Sequence, residues 1–168
     1  MANQAKRYIW FLLGVLINSF GIALITKAAL GTSPISSVPY VLSLRFSPTL
    51  GAFTFVINLL FIVGQIVLLR RNYQLFQLLQ ILVNLVFSWF IDVSMNLLGW
   101  LNPQGLPAEL VTLVLGCAVL GFGISMEVAP DVLRVPGEGL VGAIAAVTRV
   151  RFGTVKVGFD VALVLLVL

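Results

Sequence analysis

The chain has 168 residues, 60% of them apolar and 10% charged, and a mean hydropathy of +1.12. That composition is that of an integral membrane protein and excludes an ordinary water-soluble domain. The net charge is +4, there is no histidine, and the one cysteine is Cys117, which excludes intrachain disulfides, imidazole proton shuttles and histidine-dependent nucleophiles and argues against a zinc cluster.

Taken in order, the hydropathy pattern predicts five full spans, each near the ~20 residues a bilayer needs. The first, Tyr8–Ile25, follows Lys6-Arg7. No Ala-x-Ala-like cleavage site follows it, so it is expected to stay as a span. The others are Leu50–Leu69, Leu75–Leu98, Leu110–Val128 and Phe152–Leu168, with a short turn over Gly99–Pro107. Tyr8, Trp10, Tyr73 and Trp100 stand at span ends as interfacial anchors. Two further apolar segments, Pro34–Leu44 and Pro136–Thr148, are too short to cross and are flanked by Pro, Gly and Ser.

The sequence repeats itself at a fixed offset of 102 residues. Leu13-Gly14 aligns with Leu115-Gly116, Phe20-Gly21-Ile22 with Phe122-Gly123-Ile124, Pro34 with Pro136, and Gly51 with Gly153. These identities fall at Gly, Pro and helix-packing positions, where backbone geometry restricts the choice. Residues 1–106 form a first membrane repeat and residues 107–168 a second, incomplete one.

Charge placement orients the halves. If the two short segments are re-entrant half-helices, Lys6, Arg7, Arg70, Arg71, Arg134, Arg149 and Arg151 share the cytoplasmic side, and only Lys27 and Arg45 face outward. The first repeat then crosses an odd number of times, so the second is inverted. The expected fold is an all-α polytopic membrane protein, an inverted-topology repeat with a re-entrant half-helix in each half and the N-terminus cytoplasmic. No counterpart of Leu75–Leu98 follows Leu168, so a sixth span is expected to be missing and the chain truncated.

The half-helices carry the candidate site. Ser33-Pro34-Ile35-Ser36 supplies an N-cap serine, a proline at N1 and a hydroxyl at N3. Val135-Pro136-Gly137-Glu138 repeats the proline and places a carboxylate at N3. Pro34 and Pro136 are thus structural half-helix starts. If the two N-termini converge, their free N–H groups suit an anion or a polar solute. Capping of their own helices accounts equally well for Ser33 and Glu138.

Polar residues inside spans are costly, and so are functional candidates. Asn58 and Asp160 each lie seven residues beyond the shared glycine. An ion pair with Lys156, one turn earlier on the same face, is the simpler reading of Asp160. Asn18, Ser19 and Asn84 are expected to bond between helices. Glu127, with Asp131, and Asp92 are expected to meet water near span ends, and Gln74, Gln77 and Gln80 to mark a helix leaving the interface.

Two sets of motifs resemble a family. Leu30-Gly31-Thr32-Ser33-Pro34 with Val38-Pro39-Tyr40-Val41-Leu42-Ser43, and Pro136-Gly137-Glu138-Gly139-Leu140 with Phe152-Gly153-Thr154-Val155-Lys156-Val157-Gly158-Phe159-Asp160, look like the two halves of the bacterial YczE/YyaS/YitT-like membrane proteins. The resemblance covers nearly the whole chain. It implies the cytoplasmic membrane of a bacterium and a longer protein, with Pro34, Pro136, Glu138, Lys156 and Asp160 as family positions, and it implies no substrate.

The functional expectation is a small inverted-repeat transporter or permease for a small polar solute, and not an enzyme. Thr32, Ser33, Ser36, Ser37, Asn58 and Glu138 would bind the solute; Glu138, Asp160 and Lys156 would couple a proton or ion. No cofactor, metal or nucleic acid is expected. The partners are the lipid bilayer and an unknown small solute, with a homo-oligomer or a membrane-protein partner left open. A non-transporting scaffold or regulatory subunit, or the substrate-binding subunit of a larger transporter, is the alternative.

Overall fold

The computed structural model describes residues 2–70, 75–130, 133 and 135–167. Arg71, Tyr73, Gln74, Asp131, Arg134 and Leu168, which entered the topology argument, lie outside the described residues. Among the described residues the chain is helical throughout. The α-helices are α1 (Ala2–Lys27), α2 (Pro34–Arg45), α3 (Leu50–Leu69), α4 (Leu79–Leu97), α5 (Leu106–Val128), α6 (Pro136–Thr148) and α7 (Phe152–Leu166), with 3-10 turns at Leu75–Leu78 and Leu98–Trp100.

Local chemistry sets the helix starts. The Thr49 hydroxyl accepts from the backbone N–H of Ala52 at 3.1 Å and caps α3. Pro136 opens α6, where its missing N–H costs nothing. Helix α5 begins at Leu106, four residues before the predicted Leu110, because Pro107 is tolerated inside a first turn rather than ending the preceding loop. Ahead of α2, Gly31 sits at φ 137, a conformation that side chains of L residues rarely adopt. The starts of α2 and α6, and of α3 and α7, are each separated by the 102 residues of the sequence repeat.

Four helical segments are long and apolar enough to cross a membrane: Lys6–Lys27, Leu50–Leu69, Phe76–Trp100 and Leu106–Val128. Helix α7, predicted as a fifth full span, has 15 residues. At 1.5 Å per residue that stretch extends about 22 Å. Helices α2 and α6, with 12 and 13 residues, are shorter still. On α3 and α4 the usual amphipathic order is reversed. Asn58, Gln65, Gln80, Asn84 and Ser94 are buried, while Leu60, Val67, Leu82, Leu85 and Trp89 are exposed. Such outward apolar faces suit lipid rather than water.

The helices group into two compact units, each drawing on both halves of the sequence: residues 1–33 with 87–132, and residues 34–86 with 133–168. In the first unit α1 and α5 pack closely along their length. A methyl group on Gly14 would lie 2.6 Å from the backbone nitrogen of Glu127, and one on Gly21 would lie 2.7 Å from that of Leu120. One on Gly123 would lie 2.5 Å from the backbone nitrogen of Asn18, and one on Gly116 2.7 Å from the side chain of Ile25. Contact positions rise on α1 as they fall on α5, so the two helices run antiparallel. Small residues at such a seam let backbones approach where lipid supplies no hydrophobic drive between helices.

In the second unit α2 packs on α3 and α7, and α6 packs on the same two helices. The contacts α2–α3 and α6–α7 are repeat counterparts, as are α2–α7 and α3–α6. Val38, Phe61 and Leu163 form the buried core, with Ile35, Leu42, Ile57, Leu140, Phe159 and Val167 against it. Val38 and Leu140, Ile57 and Phe159, and Phe61 and Leu163 are equivalent positions of the repeat. The rings of Phe61 and Phe159 meet edge to face at 5.5 Å.

Candidate functional site

Within the second unit the first turns of α2 and α6 come together. A methyl on Gly137 would sit 3.0 Å from the side chain of Ile35, its own counterpart in the repeat. Ser36 and Ser37 are buried on the α2 side, and the Ser37 hydroxyl donates to the carbonyl of Pro34 at 2.6 Å. Glu138 is half-buried in the first turn of α6. Thr32 and Ser33 immediately precede α2 in the chain.

Gln65 on α3 reaches this region. Its side-chain amide donates to the carbonyl of Pro136 at 2.9 Å and to Gln80 Oε1 at 3.3 Å. It lies so close to Gly139 that a methyl there would meet the amide oxygen at 2.6 Å. Further along the same face, Asn58 donates to Asn84 Oδ1 at 2.8 Å, and Asn84 donates to the Phe55 carbonyl at 3.1 Å. The two amide pairs form a polar ladder between α3 and α4, which fixes one element against the next in an apolar setting.

Asn58 and Asp160 therefore share a register but not an environment. Asn58 is 5% exposed and bonded to another helix, whereas Asp160 is half-buried and pairs at 2.7 Å with Lys156 on its own helix. The simpler reading of Asp160 is the one the geometry carries. An open groove of about 380 Å³ between α3 and the start of α4 is lined by Phe55, Leu78, Leu79, Ile81, Leu82 and Leu85. Its lining side chains are all apolar and offer a polar solute no side-chain partner.

A family model described as "Family of unknown function (DUF6198)" matches residues 5–168. The chain belongs to the DUF6198 family. It is also similar to the uncharacterized protein YyaS of Bacillus subtilis (strain 168), with 26% identity over 141 residues. That match covers 80% of this chain and 66% of the length of YyaS. No solved structure matches the chain.

This DUF6198 chain holds two polar clusters that sequence patterning misplaced. Gln80, expected at the interface, is 2% exposed and bonded to Gln65. Glu127, expected to face water, is 3% exposed and accepts from Asn18 Nδ2 at 2.9 Å. The signal was present in outline, since Gln65 and Gln80 are both amides in apolar surroundings and Asn18 sits beside Gly21. Nothing in a linear pattern, however, says which partner an intramembrane amide will find.

Proposed function

We propose that this DUF6198 chain is a small permease for a polar solute, set in the cytoplasmic membrane of a bacterium with a cytoplasmic N-terminus. On this reading the two sequence halves are inverted repeats, and α2 and α6, which open at Pro34 and Pro136, are re-entrant half-helices. The observation that carries the reading is the meeting of the two proline-led first turns at Ile35 and Gly137. Half-helix N-termini present backbone N–H groups that need partners, and at membrane depth a solute can supply them. Ser36, Ser37 and Glu138 lie in those turns and would bind it, with Thr32 and Ser33 just ahead and Asn58 further along α3. The antiparallel α1–α5 seam supports inversion, because helices at equivalent places in the two halves point in opposite directions.

The test is thermal stabilisation of the purified protein by a panel of metabolites, vitamins and inorganic ions, with Glu138→Gln run beside wild type. A ligand that binds the folded state alone raises the melting temperature by mass action. A selective rise that Glu138→Gln abolishes is expected. A panel that stabilises neither protein, with both well folded, overturns the permease reading and turns attention to a scaffold or subunit role.

A further inference from the structure

We infer that Glu127, held by Asn18 across the α1–α5 seam, is a proton-binding site of this chain, separate from the solute site at the starts of α2 and α6. The seam is built to one rule throughout. Gly14 and Gly116 are repeat counterparts, as are Gly21 and Gly123, and each meets the counterpart of what the other meets. Close packing is therefore solved in the same way at both ends.

The residues at the two ends differ. Asn18 and Glu127 stand at one, and their counterparts, Leu120 and Ile25, at the other. Ile25 is buried at 4% exposure, so an apolar residue fills that position without difficulty. Packing does not call for a carboxyl group at Glu127. An ionisable side chain buried in a span is expensive and is kept for what it does. Proton binding needs no other reactant. One carboxylate oxygen takes the proton and forms an O–H bond, the charge falls from −1 to 0, and Asn18 Nδ2 can go on donating to the carboxyl oxygen in either state.

Among the described residues, few ionisable groups stand on the elements packed here. Helix α1 carries no ionisable residue from Trp10 to Asn18, the stretch around Gly14 that lies on Glu127. Arg7, earlier on α1, donates from Nε to the Pro130 carbonyl at 3.1 Å, just past the end of α5. Lys6 and Lys27 lie near the two ends of α1. On α5 itself Glu109 lies in the first turn, at the opposite end. Helix α4, whose Phe87 carbonyl lies 3.3 Å from the Ser19 hydroxyl of α1, carries Asp92.

The experiment is acid-minus-alkaline infrared difference spectroscopy on the protein in lipid vesicles, on wild type, Glu127→Gln and Asn18→Leu. Wild type is expected to gain a protonated-carboxyl carbonyl band in acid, and Glu127→Gln to lose that component. Asn18→Leu keeps the carboxyl and installs the residue of the opposite end of the seam. It is expected to retain the band at an altered frequency and titration midpoint, and so tests the site even if Glu127→Gln fails to fold. A wild-type difference band unchanged in Glu127→Gln, or unchanged in Asn18→Leu, overturns the inference. The outcome is independent of the ligand panel, since a proton can bind here whether or not any solute binds in the other unit.

Discussion

Gly123 has no room for a side chain, because a methyl on its α-carbon would sit 2.5 Å from the backbone nitrogen of Asn18. Backbone cannot yield as a flexible side chain can. Gly123→Ala should therefore push α1 from α5 and cost about 1–3 kcal/mol, the usual scale of overpacking. Gly121, two residues away on the same helix, has nothing within 4 Å of such a methyl. Gly121→Ala should be neutral or stabilise by up to about 1 kcal/mol through helix propensity. Thermal melts of the two variants in one detergent check both; equal effects would mean that the seam does not decide stability.

The Gln65 amide bridges Gln80 and the Pro136 carbonyl. Gln65→Leu should cost about 1–3 kcal/mol, because it leaves a buried acceptor on Gln80 without its donor. Adding Gln80→Leu removes that acceptor as well, so the double variant should be less destabilised than the sum of the singles. A double-mutant cycle reads the coupling directly, and strict additivity would show the pair to be independent.

Lys156 and Asp160 form a half-buried i,i+4 pair on one helix. Pairs of this kind contribute little, so Asp160→Asn should lower stability by less than about 1 kcal/mol. A melting curve close to wild type would leave the variant fit for solute-uptake measurements in vesicles. A collapse in stability would instead show that Asp160 organises α7.

The Thr49 hydroxyl is the N-cap of α3. Thr49→Ala should cost about 1 kcal/mol and Thr49→Ser much less, since serine keeps the acceptor for the Ala52 N–H. Paired thermal melts separate the capping effect from any loss of the threonine methyl.

The starts of α2 and α6 were legible because proline in a first turn leaves a mark in any context, and Pro34 and Pro136 open helices where expected. The four helices long and apolar enough to cross a membrane were legible because ~20 apolar residues admit few other fates in a chain of this composition. Glu127 was misread because its position near a span end suggested water, whereas Gly14 brings α1 against its backbone and Asn18 supplies a donor.

By itself the sequence determined the membrane class and the 102-residue repeat. Composition, glycine and proline act locally and survive translation into structure unchanged. Only the tertiary structure decided which face of each helix is hidden and which polar group meets which. Gln65 could have faced any amide on any helix. It meets Gln80 and Pro136 because the helices carrying them fold together, and a buried donor has to be satisfied by whatever the packing brings within reach.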